Sequence, residues 1–483
     1  MTDASNKDLR FGPMFTVMLL GAFVGILNET LLSTALPSIM NDFGLNENKV
    51  QWLTTAFLLT NGVMIPISAY LIERFSTRTL FLSAIGLFGL GTMLAAISHS
   101  FSLLLLGRVV QAAGSGIMLP LIMTIILTII PKGNRGRMMG WAGIVISFGP
   151  AIGPTLSGFL LEYFSWRALF FVVLPIVAVI MVLAVVYVKN VTKLTRPRID
   201  ILSIFLSSLG FGGLLYGFSV AGEKGWSSQT VILFITMGFM TLGIFIWRQL
   251  RLKQPLLQFR VFGYKTFTLS LVITMVVIIS MIGAETLLPL YMQNVRGFSP
   301  LQSGLMLLPG AIVMGVMSPV TGILFDKWGA RKLAVPGLLI VVVTSFLMTN
   351  LSMDTSIVYL SAIYCLRMFG LSLAMMPVMT NGLNQIPVEW SAHGSAMANT
   401  FQQISGSIGT AILITIMTMS SKGYTPEGPS GDGSHMIGEM AMVHGYNQAF
   451  LFASFLAIGA LVLSLFLKKG ASEQTEGHEV SNG

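Results

Sequence analysis

The stretch LNETLLSTALP, Leu27–Pro37, contains the tetrapeptide Glu-Thr-Leu-Leu, which occurs again at Glu285–Leu288. Both copies lie inside long apolar segments, where an ionisable side chain is costly and is usually retained for a function. The copies are 256 residues apart. Three other pairs recur at nearly the same separation: Glu73 with Asp326, Gly136 with Gly394, and Arg108 with Arg367. These pairs predict two related halves, each with a carboxylate at an equivalent depth, as in transporters built from internal repeats.

The composition excludes a soluble globular protein. Of the 483 residues, 54% are hydrophobic and only 10% are charged, whereas soluble proteins carry about 25% charged residues. The first apolar segment is too long for a cleavable signal peptide, so we expect it to remain as a membrane helix. The single cysteine, Cys365, excludes an intramolecular disulfide and a cysteine-based metal cluster.

Fourteen apolar segments are long enough to cross a bilayer, for which a helix needs about 20 residues. The repeat maps spans 1 to 3 onto spans 9 to 11, whereas spans 7 and 8 have no counterpart. We therefore predict an all-α membrane protein of two six-helix halves with two inserted helices. The predicted spans are 14–36, 50–72, 79–98, 102–130, 137–161, 167–189, 201–221, 229–249, 267–293, 302–325, 332–351, 356–380, 395–418 and 447–467.

These spans divide the chain into four predicted parts. They are 1–190 for the N-terminal half, 191–260 for the inserted helices and linkers, 261–470 for the C-terminal half, and 471–483 for a disordered tail. The loop at 420–445 begins rich in Gly and Pro, which favours disorder. A short hairpin near Met436 to Met442 is the alternative for the end of this loop.

The positive charges predict the orientation. With a cytoplasmic N-terminus, 21 of the 28 Lys and Arg residues fall on the inner side and five on the outer side, while Arg108 and Arg367 lie within spans. Such a bias is typical of membrane topology. The net charge of +9 is therefore interpreted as a topology signal rather than a nucleic-acid surface. We expect a multi-pass protein of the cell membrane, a bacterial plasma membrane, with both termini in the cytoplasm.

Two corresponding loops carry an acid beside basic residues. The loop after span 10 reads GILFDKWGARK, Gly322–Lys332, and the loop after span 2 reads AYLIERFSTRT, Ala69–Thr79. The second-half loop resembles the loop signature of the major facilitator superfamily, Gly-x-Leu-x-Asp-Arg-x-Gly-Arg-Arg, and the first-half loop is a degenerate copy. An acid at a helix end can pair with basic groups and a neighbouring helix terminus in one conformation only. We predict such a latch, with topology alone as the alternative, for Glu73, Arg74, Arg78, Asp326 and Arg331.

Span 5 contains GPAIGP, whose Gly149, Pro150, Gly153 and Pro154 predict a kink and a close helix contact. The segment resembles the antiporter motif of the same superfamily, Gly-x-x-x-Gly-Pro-x-x-Gly-Gly, which distinguishes exporters from symporters. Simple helix packing is the alternative reading.

Span 1 resembles the first-helix signature of the fourteen-helix drug:proton antiporters, Leu-Asp-x-Thr-x-x-Asn-x-Ala-Leu-Pro. Asn28 takes the place of the usual Asp, and the acid moves one position on, to Glu29. One position turns a side chain by about 100° around the helix. Span 4 matches the family sequence Arg-x-x-Gln-Gly-x-Gly at Arg108 and Gln111. The overall resemblance is to Gram-positive lincomycin-type and multidrug exporters.

Glu29 and Glu285 are the predicted proton and substrate acids, with Asn28, Arg108, Gln111 and Arg367 as their surroundings. A carboxylic acid in a poorly solvated site can hold a proton that a neighbouring cation displaces. The alternative is that each acid forms a fixed ion pair with Arg108 or Arg367.

The resemblance implies a proton-coupled multidrug efflux antiporter that exports amphipathic, often cationic drugs by alternating access. It implies small-molecule drugs, protons and the lipid bilayer as partners, no enzyme activity, no cofactor, and function as a monomer. A narrow-specificity tetracycline or metabolite exporter is the alternative within the same class. A membrane sensor or enzyme without transport is the alternative from another class.

Overall fold

The computed structural model describes residues 3–32, 35–192, 194–195, 199–424 and 434–468, and over these residues its regular elements are helices. Fourteen of the helices in this described part have 18 residues or more, and we number them α1 to α14. They are Asp3–Leu31, Trp52–Arg74, Thr77–Ala96, Phe101–Ile129, Arg135–Tyr163, Arg167–Tyr187, Ile201–Lys224, Gln229–Arg251, Lys265–Asn294, Pro300–Trp328, Ala330–Leu347, Ile357–Leu383, Ser391–Lys422 and Ser434–Ser464.

Each long helix occupies one of the predicted spans. Thirteen of them contain a stretch that is long and apolar enough to cross a membrane. The remaining one, α5, has 29 residues and coincides with the predicted fifth span. The all-α membrane architecture predicted from the sequence is therefore confirmed. The short helix Leu36–Phe43 follows α1.

The predicted hairpin near Met436 to Met442 is wrong, because this segment forms the first turns of α14. Its Met, Glu and Ala residues favour a helix, and the neighbouring span allows the helical hydrogen bonds to propagate backwards into the loop. The predicted loop 420–445 is shorter in the structure, because 420–422 belong to α13 and 434–445 belong to α14. Residues 425–433 of this loop and the predicted tail, 471–483, lie outside the described residues.

The two sets of six helices share one packing pattern. In the first set α3 packs against α4 and α6, α1 against α5 and α6, and α2 against α4. In the second set α11 packs against α12 and α14, α9 against α13 and α14, and α10 against α12. Every one of these pairs recurs eight helices later, which is the arrangement expected of two related halves.

Helices of both halves pack against each other. The most extensive contact runs between α5 and α10, and α13 packs against α2 and α4. The inserted α7 packs against α8, α2 and α13, so it bridges the seam between the halves.

The helices α2 and α10 end, and α5 and α13 begin, at the same end of the bundle. We call this end the motif end and the opposite end the far end.

A cavity between the halves

A cavity of about 500 Å³ lies between the halves, nearer the far end. Its walls come from the first turns of α2, the later part of α13, one face of α7, and single residues of α1 and α9. Hydroxyl and amide groups face it from α2 and α13, whereas Glu29 supplies its carboxylate. The other lining residues are Gln51, Thr54, Thr55, Leu58, Phe218, Ser219, Val220, Gly222, Ile282, Gln403, Gly406, Ser407, Thr410, Ala411 and Ile414.

Glu29 lies in the last turn of α1 and is partly exposed to this cavity. The turn of α1 that carries Glu29 packs against two glycines of α5. The Thr30 hydroxyl donates a hydrogen bond to the Gly149 carbonyl oxygen at 3.2 Å, and a Cβ atom at Gly153 would lie 2.1 Å from the Thr30 Oγ1 atom. Only glycine at 153 allows this approach, so the motif segment of α5 positions the turn that carries the acid.

The backbone of α5 is helical through the whole GPAIGP segment. The side chains of Pro150 and Pro154 lie outside what the structure describes, so the predicted kink stays a prediction.

Arg108 is fully buried, and its hydrogen bonds go to neutral groups. It donates to Asn28 Oδ1 at 2.6 Å and to Gln111 Oε1 at 2.9 Å, and its guanidinium carbon lies 4.1 Å from the centre of the Phe57 ring. Arg108 interacts electrostatically with Glu29, but none of the ion pairs between described residues joins the two. The cavity acid is therefore not locked to its nearest arginine.

Gln111 is itself held from the other side, because its amide donates to Thr92 Oγ1 at 2.8 Å. Thr92, Gln111 and Arg108 are each fully buried. Hydrogen bonds are stronger in a poorly solvated interior than in water, so the two bonds that Arg108 Nη1 donates restrict its movement, although the Nε and Nη2 atoms have no hydrogen-bond partner among the described residues. These two bonds hold the Arg108 guanidinium directly behind α1.

The second half has a different arrangement around its acid. Arg367 is buried and donates to the Ser280 carbonyl oxygen at 2.8 Å, to Ser280 Oγ at 3.0 Å and to Ser345 Oγ. Glu285 interacts electrostatically with Arg367 and Tyr364, but it is not among the described residues that line the cavity. The residue of α9 that lines the cavity is Ile282, one turn before Glu285.

At the motif end, Asp326 joins α10 to the start of α5. Its two carboxylate oxygens accept hydrogen bonds from the backbone N–H groups of Gly136 and Arg137, each at 2.9 Å. The helices are in backbone contact here, since a Cβ atom at Gly322 would lie 2.2 Å from the Gly136 carbonyl oxygen. A carboxylate at a helix N-terminus is favoured by the helix dipole.

The corresponding acid of the first half contacts the start of α13. The Glu73 Oε1 atom lies 3.0 Å from Nε2 of His393, a residue that is only 5% exposed. Thr195 also donates a hydrogen bond from Oγ1 to the Glu73 carboxylate, at 3.4 Å. Each acid of the repeat thus meets the first turn of a helix from the opposite half.

The basic residues predicted for these loops do not bridge the halves. Arg78 donates to the Val185 carbonyl oxygen at 2.7 Å within its own half. Arg74 and Arg331 are exposed. A further contact across the halves comes from Arg135, whose Nη1 atom donates to Asn384 Oδ1 at 3.0 Å.

Sequence reasoning missed His393 and the walls of the cavity that α2, α7 and α13 form. A signal for the walls was present, because residues 51, 54, 55 and 58 of α2 follow the spacing of one helical face. Residues 403, 407, 410 and 414 of α13 do the same. Both faces are unusually polar for helices of such high apolar content.

Comparison with known proteins places this architecture in a family. The model of the Major Facilitator Superfamily matches residues 18–410. The MFS-type transporter YcnB of Bacillus subtilis is 47% identical over 97% of both chains. The lincomycin resistance protein LmrB of Listeria monocytogenes is 42% identical, over 96% of this chain and 98% of that protein.

More distant similarities extend over comparable lengths. The multidrug resistance protein B homolog of Mycobacterium tuberculosis is 26% identical over 94% of this chain and 89% of its own. Among solved structures, the human organic anion transporter MFSD10 superimposes with a TM-score of 0.67 at 15% identity, covering 94% of this chain and 99% of its own. This last likeness concerns the fold alone. On the family match and the close relatives, the chain belongs to the Major Facilitator Superfamily, a family of membrane transporters rather than enzymes.

Proposed function

We propose that this transporter exports amphipathic, often cationic drugs in exchange for protons. The observation that carries the proposal is the carboxylate of Glu29 in a cavity between the halves, which makes no ion pair with an arginine in the part of the chain that the structure describes. In such a site a carboxyl group holds either a proton or a cationic drug, but not both. Because a proton and a drug exclude each other at Glu29, proton movement in one direction is coupled to drug movement in the other.

The rest of the cavity suits varied ligands. Its α2 and α13 walls offer hydroxyl and amide groups, and its α7 wall offers Phe218 and Val220. Neutral hydrogen-bonding groups among apolar ones favour amphipathic molecules without demanding one shape. The relatives named for lincomycin and multidrug resistance support the drug class.

The state in the structure is closed at the motif end. The contacts of Asp326 with α5 and of Glu73 with His393 join the halves there, while the cavity lies nearer the far end. The positive residues of the motif loops favour a cytoplasmic motif end, with both termini in the cytoplasm. The structure then corresponds to an outward-facing state of an alternating-access cycle that one copy of the chain can complete.

The test is drug uptake by proteoliposomes with an acidic interior. We expect the purified protein to accumulate lincomycin and ethidium while protons leave, and uptake to cease when the pH gradient is collapsed. Glu29→Gln should lower gradient-driven uptake of both drugs by tenfold or more, because a neutral amide cannot exchange a proton for a cation. Exposed Glu162 supplies the matched control, since Glu162→Gln should transport at the wild-type rate.

Two outcomes would contradict the proposal. Wild-type rates in the Glu29→Gln variant would remove this acid from coupling. Drug uptake without any proton movement would exclude antiport. Transport of tetracycline with none of lincomycin or ethidium would instead support the narrow-specificity alternative.

A further inference from the structure

The inserted helix α7 is built into the seam between the halves. Against α2, a Cβ atom at Gly62 would lie 2.1 Å from the Leu215 Cδ1 atom, and the Tyr216 ring stacks on the Trp52 ring with centroids 5.6 Å apart. A side chain at position 62 would displace the Leu215 side chain, so α7 packs closely on the first half at this point.

The opposite side of α7 packs on the second half. Ala221 and Ala411 are buried in one small cluster, and a Cβ atom at Gly222 would lie 3.7 Å from the Ala411 Cα atom. Just beyond the helix, the Trp226 indole N–H donates to the Thr415 hydroxyl at 2.9 Å. The helix is therefore pinned to α13 as well as to α2.

Between these two attachments α7 faces the cavity. Phe218, Ser219, Val220 and Gly222 line the same cavity as Glu29, and Ser219 is exposed. A helix that only filled space in the lipid would present apolar side chains outward and pack its small residues inward. Here a hydroxyl and a glycine are turned toward the cavity that holds the Glu29 carboxylate instead.

We propose that α7 is the third wall of the drug site, where Ser219 contacts the bound drug and Gly222 sets the width available to it. The inference rests on the proposed function and adds a specificity wall that belongs to neither six-helix half. Because α7 is attached to both halves, rocking of the halves must shift it against α2 or α13. The width at Gly222 then changes during the cycle.

Drug protection of engineered cysteines tests the contact. The chain has a single cysteine, so Cys365→Ser provides a background without thiols. In that background we compare Ser219→Cys with Thr410→Cys on the opposite wall and Ser227→Cys in the exposed loop after α7. Saturating ethidium should slow labelling by a water-soluble maleimide at least fivefold at positions 219 and 410, and leave position 227 unchanged.

The width is tested by a larger side chain at position 222. A Cβ atom there would make ordinary van der Waals contacts, at 3.7 Å or more, and the position lines the cavity, so we expect the Gly222→Leu side chain to narrow it. A melting temperature in detergent close to that of the wild type checks that the variant is folded. We expect Gly222→Leu to lower ethidium uptake at least tenfold. Gly243→Leu on the other inserted helix is the matched control, because a Cβ atom at Gly243 meets nothing within 4 Å.

The outcomes separate this inference from the proposed function. Protection at 410 without protection at 219, together with normal uptake by Gly222→Leu, would overturn the α7 wall and leave drug export intact. Protection at neither position in a protein that transports ethidium would show that the drug binds elsewhere, which overturns the inference. Failure of the wild-type protein to transport lincomycin and ethidium would overturn the proposed function itself.

Discussion

At the scale of single residues, Asn28 and Glu29 are chain neighbours with opposite surroundings. Asn28 is 1% exposed and accepts a hydrogen bond from Arg108, whereas Glu29 reaches the cavity. The difference follows from the turn of about 100° between consecutive residues of a helix. The fourteen-helix antiporters that span 1 resembles carry their acid at the position of Asn28. In this chain the residue that is bonded to Arg108, Asn28, and the acid that lines the cavity, Glu29, are therefore two different residues.

Moving the acid from position 29 to position 28 should not preserve transport. In the double variant Asn28→Asp, Glu29→Gln, we expect the new carboxylate to pair with Arg108 at hydrogen-bond distance and remain ionised, because opposite charges in close contact favour the charged form. Proton-driven ethidium uptake should stay within about twofold of the Glu29→Gln variant. Recovery to the wild-type rate would show that an acid beside Arg108 can couple transport and that exposure to the cavity is not required.

At the scale of helices, the two acidic loops make the same kind of contact in different ways. Asp326 accepts two backbone N–H groups at the start of α5, whereas Glu73 contacts the His393 side chain at the start of α13. A carboxylate near a helix N-terminus contributes about 0.3–1 kcal/mol, and up to ~2 kcal/mol when it is partly buried. Energies of this size hold a closed end and still allow it to open.

We predict that Glu73→Gln shifts the protein away from the state closed at the motif end. The loss of the Glu73 carboxylate at the start of α13 should alter the rate of opening and closing at least fivefold, while ethidium affinity changes less than twofold. Single-molecule distance measurements between labels on α2 and α13 report the exchange, and fluorescence titration reports the affinity. Glu389→Gln is the control, because Glu389 lies at the same end of the molecule but is exposed. Lost affinity with normal exchange would contradict the latch.

The two inserted helices, α7 and α8, are joined by an ion pair at the motif end. Asp200 caps α7 through the Ser203 N–H group at 3.2 Å and pairs with Arg248 of α8 at 3.0 Å. Burial raises the pKa of Asp200, but the hydrogen bonds from Ser203 and Arg248 outweigh it and leave the pKa below its usual value. The group therefore stabilises the fold above its unfolded-state pKa, and this contribution is lost as the pH falls through the lower folded-state pKa.

Two variants of Asp200 separate the cap from the charge. Asp200→Asn keeps an N-cap and removes the ion pair, so it should cost at most about 1 kcal/mol for a partly exposed pair. Asp200→Ala should cost about 0.5–2 kcal/mol more through the lost cap. In detergent, the melting temperature of Asp200→Asn should lie below that of the wild type at pH 7, and the difference should narrow toward pH 3. A difference that is constant with pH would exclude the charge as its cause.

At the scale of the whole molecule, the sequence predicted what depends on local pattern. Apolar length defines a span, so all fourteen helices were predicted, and the separation of Glu73 from Asp326 revealed the repeat that the packing pattern follows. The place of α7 was not predictable, because an apolar helix carries no mark of the helices it packs against. The contact of Glu73 with His393 was missed for the same reason, since it joins residues that are more than 300 positions apart.

The repeat is less symmetric at its two acids than the sequence suggests. The sequence predicts Glu285 opposite Glu29 across the cavity, whereas the structure has Ile282 on the lining and Glu285 beside Arg367 and Tyr364. The two acids consequently need not serve the same drugs. A second acid matters most for a drug with two positive charges, because each charge moved across 100 mV costs about 2.3 kcal/mol and an additional exchanged proton can offset it.

We therefore predict that Glu285→Gln impairs uptake of the divalent cation propidium at least fivefold more than uptake of monovalent ethidium. The two dyes share one aromatic ring system, so their comparison isolates the charge, and Glu29→Gln measured in parallel should lose both. Proteoliposome uptake at equal pH gradient and known membrane potential gives the ratio. Equal loss of both dyes would assign Glu285 a shared conformational role, and loss of neither would leave it as the structural neighbour of Arg367.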